Sequence, residues 1–302
     1  MSNQIPQFLY EMLLEKYKKE DVERILEGYL SKRKTTLRVN NLKATIEEIE
    51  NELNKNGIKY SKVDWYENAI ILENANENDI RKLSIYEEGK TYLQSLSSML
   101  PAILLEPKAN ENILDMAAAP GGKTTQMSAL TENLALITAC EKNKIRADRL
   151  RYNIEKQGAK RINVMGEDSR KLDDFFSFDK ILLDAPCSGS GTISLEDENL
   201  GKSFTSELVE RAEKTQYELL SKAIKLLKPG HEMIYSTCSI LKNENEENLR
   251  KILKTGKIEI VPIEEERLSG IPLLPSTIEG TITICPSNLY EGFFIAKIRI
   301  PN

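Results

Sequence analysis

The sequence predicts an α/β protein: a mostly parallel, doubly wound sheet preceded by a small amino-terminal α+β domain. Three observations carry that expectation. From residue 91 onward, short apolar runs alternate with helical patterns, as strands do when crossover helices cover both faces of a sheet. Before residue 91 helical stripes are mixed with short strand-like runs. The 302-residue length accommodates two ordinary domains, and 40% hydrophobic residues can fill their cores.

Taken in order, Phe8, Leu9, Met12 and Leu13 share a helical face after Pro6, and Val22, Ile25, Leu26 and Tyr29 recur at three- and four-residue steps. Residues 35–40 alternate as a short strand. Ile46, Ile49 and Leu53 form a stripe that begins at a Thr45 cap and stops at Gly57. Residues 59–63 and 69–72 read as strands and complete a domain expected over 1–90. In the second domain, expected over 91–302, strands are read at 112–116, 135–140, 162–165, 180–183, 233–236 and 293–300. The clearest helix spans 208–227 and ends at Lys228-Pro229-Gly230. The final hairpin-like stretch is expected to be antiparallel. In such a sheet, ligands bind at the carboxyl ends of the strands, where the strand order reverses.

Composition excludes several chemistries. The only histidine is His231, so a Ser-His-Asp triad, a Cys-His dyad or a multi-histidine metal site must use it or is impossible. The four cysteines, Cys140, Cys187, Cys238 and Cys285, include no C-x-x-C pair, so neither a zinc ribbon nor a disulfide framework is indicated. No apolar run approaches the roughly 20 residues needed to cross a bilayer. The acidic amino terminus does not read as a secretory signal. A cytoplasmic location is the expectation.

Four motifs sit where strands end. Asp115 to Thr125 reads DMAAAPGGKTT: small residues and a glycine pair between a strand and a helix, which admit a ligand close to backbone N–H groups. It is not a P-loop, because position 117 is alanine where that motif needs glycine. Glu141 immediately follows the second strand, about 20 residues beyond the glycine turn, which suits a contact to ribose hydroxyls. Asp168 follows the third strand, where it would reach an adenine edge or serve as a helix cap. DAPCSGSGT (184–192) and YSTCSI (235–240) follow the fourth and fifth strands, so Cys187 and Cys238 meet in one crevice although 51 positions separate them. A lone cysteine is more often a buried small hydrophobe, and Cys140, Cys285 and the solitary His231 are read as structural.

AAAPGGKT, DAPCSGSGT and YSTCSI, in this order and spacing, resemble the S-adenosylmethionine-dependent RNA (cytosine-5) methyltransferases of the Sun type. LRVN (37–40), the 94–100 segment and GFFIA (292–296) extend the resemblance over almost the whole chain. It implies a class I methyltransferase, Rossmann-like fold. Cytosine C5 is a poor nucleophile until a thiolate adds to C6. By resemblance Cys238 is that thiolate and Cys187 assists release of the methylated product. Asp184 would hydrogen-bond the cytosine ring and help place the cofactor, and Lys123 would favour the thiolate through its charge. The implied cofactor, S-adenosyl-L-methionine, would be wrapped by Ala117, Ala118, Ala119, Pro120, Gly121, Gly122 and Lys123. Glu141 would hold its ribose, Asp168 its adenine side, and Asp184 would lie near the methyl donor. Where many members carry arginines and a proline, this chain has Ile193-Ser194-Leu195-Glu196-Asp197-Glu198.

The expected partner is RNA, either rRNA or tRNA, with no membrane and no metal, and the expected state is a monomer. The net charge of −5 weighs against nucleic acid only if it is spread evenly. Lys32, Arg33, Lys34, Arg38 and Lys43 stand together without an acid, and residues 142–161 hold eight bases against Asp148 and Glu155. Two other classes stay open on the residues alone: a methyltransferase fold that binds RNA without turnover, and a methyltransferase for another acceptor. The paired cysteines speak against the first. Asp-Ala-Pro-Cys, where an N-P-P-Y type signature would stand, speaks against the second.

Overall fold

The change of pattern near residue 91 becomes two sheets. The computed structural model describes residues 5–197 and 200–302. Thr45 caps helix α3 (Ile46–Lys55) in a full capping box with Glu48, which satisfies two otherwise orphaned N–H groups. Strands β1 (Thr36–Val39), β2 (Tyr60–Lys62), β3 (Ala69–Leu72) and β4 (Thr91–Leu93) form an antiparallel sheet in the order β2-β3-β1-β4. Its last strand lies just past residue 90. Leu37, Val39, Ile70 and Leu72 pack beneath α3 on Ile49 and Leu53. Two short helices, α4 (Glu77–Arg81) and α5 (Ser84–Glu87), lead into β4.

The first two helices lie elsewhere. Helix α1 (Gln7–Leu14) and α2 (Lys19–Leu30) bury Leu9, Leu13, Ile25 and Tyr29 against Ile193, Phe204, Val209, Ile240 and Leu241 of the second part. Phe8 stacks on Phe204 with ring centroids 5.8 Å apart. Lys16 and Glu246 form a fully buried ion pair at 2.7 Å beneath them.

The large sheet is built from β5 (Asn112–Asp115), β6 (Leu136–Cys140), β7 (Ile162–Met165), β8 (Phe178–Asp184) and β9 (Leu227–Thr237). Strand β10 (Glu259–Val261), β11 (Leu273–Leu274), β12 (Ile282–Ile284) and β13 (Phe293–Arg299) complete it. Among the described residues it has nine strands in the order β11-β12-β13-β9-β8-β5-β6-β7, with β10 on β13. Strands β5 to β9 pair in parallel, whereas β13 runs antiparallel between β9 and β12. The expected antiparallel end of the sheet is therefore present.

Helices α6 (Leu96–Leu105), α7 (Gly122–Leu130), α8 (Lys144–Gln157), α10 (Ser206–Leu226) and α11 (Glu246–Leu253) flank this sheet, and α9 (Leu200–Ser203) precedes α10. One face packs Ile113, Ile137, Leu182 and Ile234 against Met99, Leu100 and Met127. The other packs Ile181, Leu183, Met233 and Tyr235 against Leu219, Leu220, Leu249 and Ile252. Near-continuous apolar strands reflect burial on both sides. The order reverses between β5 and β8, so a crevice opens at their carboxyl ends. Among the described residues no helix is long and apolar enough to cross a membrane.

Candidate active site

The crevice is a cleft of about 530 Å³ between the two sheets. Its floor is the turn after β5, where Ala117, Ala118, Ala119 and Pro120 face it together with Gly122, the first residue of α7. Small side chains are needed here. Gly121 caps α7 with φ +110°, a conformation that strains other residues, and a Cβ on it would meet Leu150 at 3.0 Å. Its backbone turns the chain, and Gly121 itself does not line the cleft. Arg38, on β1, secures the turn from the small domain: its Nη1 donates to the Gly122 carbonyl at 2.7 Å and to Gln94 Oε1 at 2.7 Å.

Lys123 and Asp184 meet across the cleft at 2.7 Å. The Lys123 ammonium also donates to Ser98 Oγ at 2.6 Å and lies 5.6 Å above the Phe293 ring. Ser236 donates to the other Asp184 oxygen at 2.8 Å, a contact set by the β8–β9 register that puts Asp184 opposite Ser236. Asp115 lines the same floor, fully buried, with Thr124 donating to it at 2.7 Å. Burial pushes its carboxyl up to about 6.

Cys238 lines the cleft, and its Sγ lies 2.8 Å from that of Cys187. Both thiols are free. The contact with Cys238, and burial after it, push the Cys187 thiol up. Either sulfur can be the donor in this contact. Cys140 and Cys285 are buried elsewhere, and burial pushes them up to about 12 and about 11. His231 takes part in the strand network through Nδ1, 3.0 Å from the Asp179 carbonyl oxygen.

A smaller pocket adjoins the cleft at Ala117, lined by Met116, Glu141, Arg146, Asp168 and Arg170. Glu141, 5% exposed at the end of β6, accepts from the Asn143 amide at 2.8 Å and pairs with Arg146 at 3.3 Å. Asp168 caps the 3-10 turn Ser169–Lys171 and is gripped by Arg170 at 2.5 Å, which holds its carboxyl down to about 2. Asp168 is thus a cap, one of its two expected roles, and it also lines this pocket. The structure thus gathers Cys238, Asp184, Lys123 and the alanine turn in the cleft. Cys187 stands behind Cys238, and Glu141 and Asp168 stand in the adjoining pocket.

Sequence reasoning missed Glu244. Glu244, Asn245 and Glu246 are all fully buried, although an acidic run opening a helix reads as a solvated face. Ser188 and Ser239 both donate to the Glu244 carboxylate, at 2.5 and 2.7 Å. The one available signal was position, six residues beyond Cys238. Asp115 and Ser98 were missed for a different reason, since nothing marks a buried strand-end acid or a helical serine as facing a cleft.

A parallel sheet with this reversal, an antiparallel strand beside β9 and a cofactor-sized crevice at the strand ends defines a class I methyltransferase. Comparison with known proteins specifies it further. The family model described as 16S rRNA methyltransferase RsmB/F matches residues 102–299, and the RsmF/B-like ferredoxin-like domain matches residues 5–79. The chain belongs to the RsmB/F methyltransferase family. It is 35% identical over 276 residues to ribosomal RNA small subunit methyltransferase F of Vibrio parahaemolyticus, covering 87% of this chain and 56% of that one. It is 38% identical over 223 residues to a tRNA (cytosine(72)-C(5))-methyltransferase of Pyrococcus horikoshii, covering 73% and 55%. The chain spans a little over half the length of these curated relatives. Among solved structures, NSun6 of Pyrococcus horikoshii with SFG superposes with TM-score 0.87 at 25% identity, covering 99% of both chains. A methyltransferase homolog protein of the same organism gives TM-score 0.79 at 30% identity, covering 98% of this chain and all of that one.

Proposed function

We propose that this protein transfers a methyl group from S-adenosylmethionine to C5 of a cytosine in rRNA or tRNA, through a covalent bond between Cys238 and C6. The single observation that carries the reading is the pair of free thiols 2.8 Å apart at the ends of adjacent strands, Cys238 facing a cleft that also holds the Lys123–Asp184 pair. The rRNA and tRNA methyltransferases among its relatives support the substrate class.

The residues fit the cofactor. Ala117, Ala118 and Ala119 leave the backbone approachable, and Glu141 offers a nearly buried carboxylate of the kind that grips two adjacent hydroxyls. The structural relative with SFG, an analogue of S-adenosylmethionine, supports the same choice. When bound, the cofactor supplies an electrophilic methyl on its sulfonium, the partner C5 needs. The protein supplies the rest. The Cys238 thiolate adds to C6, which makes C5 nucleophilic. Lys123 favours the thiolate by its charge, and Asp184, aligned by Lys123 and Ser236, faces the ring of the base. After C5 has gained its methyl it loses a proton to a base. The Cys238–C6 bond then breaks, and the S–H of Cys187 stabilises the departing thiolate. Arg33 and Lys34 line the cleft together with residues of the small domain, and we assign them, with the neighbouring Lys32, to RNA binding.

Incubation with methyl-labelled S-adenosylmethionine and separate rRNA and tRNA pools, followed by mapping of 5-methylcytosine, tests the assignment. Cys238→Ala should abolish labelling, and Cys187→Ala should accumulate a covalent RNA adduct. Full labelling by Cys238→Ala overturns the nucleophile. Binding of RNA without any labelling would favour a non-catalytic role.

A further inference from the structure

The residues that follow the two thiols are held by one carboxylate. Glu244, fully buried, accepts from the Ser188 amide at 2.8 Å and the Ser188 hydroxyl at 2.5 Å. It also accepts from the Ser239 hydroxyl at 2.7 Å and the Gln216 side-chain amide at 2.9 Å. Ser188 directly follows Cys187 and Ser239 directly follows Cys238, so a single side chain fastens both cysteine loops. Gln216 strengthens the hold by donating to the carbonyl of Pro186, the residue before Cys187, at 2.9 Å. The loops are also stitched to each other, by Ser190 Oγ and Ser239 Oγ at 2.8 Å and by the Gly191 amide to the Cys238 carbonyl at 2.9 Å.

Four donors match the acceptor capacity of an ionised carboxylate. All four are neutral groups, so they do not offset the burial of a charge as an ion pair would. The arrangement makes sense where exact placement of the gripped residues matters more than stability, as in a fully satisfied polar network that specifies one geometry.

We propose that Glu244 is a positioning residue for the cysteine chemistry: by gripping the residue after each thiol, it sets the approach and relative orientation of the Cys187 and Cys238 sulfurs. The proposal rests on the reading of those thiols given under Proposed function. Glu244 sits closer to the Cys187 loop, through two bonds to Ser188. Its charge adds to the contact with Cys238 and the burial that keep the Cys187 proton in place.

The test reads geometry and turnover separately. Diamide takes one hydrogen from each of two neighbouring thiols and joins the sulfurs, so the rate of Cys187–Cys238 disulfide formation, followed by mass spectrometry on the full chain, reports their approach without RNA. Glu244→Ala should slow that oxidation about tenfold, and lower kcat for methylation of rRNA and tRNA pools by up to about a hundredfold, the scale of a misplacement near 1 Å. KM for RNA and calorimetric affinity for S-adenosylmethionine should stay within about threefold, because the cofactor and RNA contacts lie on other elements. Glu244→Gln, nearly isosteric, should recover part of both losses. If Glu244→Ala does not fold, Ser239→Ala removes one of the four bonds to Glu244, together with that hydroxyl's contacts to Ser190 and the Leu241 amide, and should give a smaller loss in the same direction. A folded Glu244→Ala variant with unchanged oxidation rate and unchanged kcat overturns the proposal. Slowed oxidation with undiminished methylation supports the hold of Glu244 on the thiols and overturns instead their assignment to the reaction.

Discussion

Arg38 of β1 donates to the main-chain oxygen of Gly122, the first residue of α7, at 2.7 Å. A side chain of the small sheet thereby shapes the turn that floors the cleft of the large one. The guanidinium is 1% exposed, lies 5.4 Å from the Tyr92 ring centroid and also donates to Thr125 Oγ1 at 3.1 Å. Its Nε has no hydrogen-bond partner among the described residues, and burial lowers its pKa to about 10.

Arg38→Ala removes three hydrogen bonds and leaves the buried Gln94 Oε1 without its Arg38 donor, while the Gly122 carbonyl keeps the Thr125 hydroxyl. The expected cost is about 2–4 kcal/mol of folding stability, read from urea unfolding. Arg38→Lys should recover little, because an ammonium cannot present the planar fork that reaches Gln94, Gly122 and Thr125 together. Full stability in Arg38→Lys contradicts this.

Asp115 gives a pH signature. Burial raises its folded pKa to about 6 from an ordinary 3.8. An acid with a raised folded pKa binds its proton more tightly when folded, so it favours folding below about pH 4 and that benefit disappears as pH rises through 6. Asp115→Asn should therefore be more stable than the parent at neutral pH by about 1–3 kcal/mol, with the difference growing between about pH 4 and 6. Urea midpoints across that range check it, and a pH-independent difference contradicts it.

Glu141→Ala should weaken S-adenosylmethionine binding by about tenfold to a hundredfold in calorimetry, the scale of losing two charge-assisted hydrogen bonds to hydroxyls. Asp168→Ala should cost less, since Arg170 already occupies both carboxylate oxygens. Equal and undiminished affinity in both variants removes the adjoining pocket as the nucleoside site.

Replacement of Lys32, Arg33 and Lys34 by Ala should weaken RNA binding and reduce its salt slope by up to about 3, one for each phosphate that a cation no longer neutralises. Arg33 is the most informative of the three. Its Nη2 donates to the Thr192 carbonyl at 2.8 Å, while its buried Nη1 has no hydrogen-bond partner among the described residues. Binding at several salt concentrations that matches the parent would exclude this surface.

The pattern of strands and turns was legible because each signal was local. The Thr45 cap, the residue 69–72 run and the three motifs at strand ends all carry their own cue, and they stand where expected. The Cys187–Cys238 meeting was legible for a topological reason, since consecutive parallel strands end at one edge. Glu244 was not, because its burial depends on Ser188, Gln216 and Ser239, which come from three separate stretches of chain. Helix α6 was expected only as a segment, and its internal Pro101 argues locally against the helix that packing on Met127 and Ile113 restores. The direction of the acidic 193–198 stretch was likewise hidden. Ile193 is buried beside α2 and the Leu195 amide donates to the Tyr29 carbonyl at 3.0 Å, while Glu198 lies outside the described residues.

The placement of α1 and α2 changes what counts as a separable piece of this molecule. Tyr17 and Tyr29 donate to the main-chain oxygens of Ile240 and Ser190, at 2.7 and 2.5 Å, in the loops that carry the two thiols. Helices α1 and α2 are thus a brace for those loops, delivered from a distant part of the chain. A methyltransferase sheet excised at residue 91 would lose that brace and bare Ile193, Phe204, Val209, Ile240 and Leu241 to water. Autonomy of folding here follows contact in space, and a unit cut to keep this core buried has to include α1 and α2.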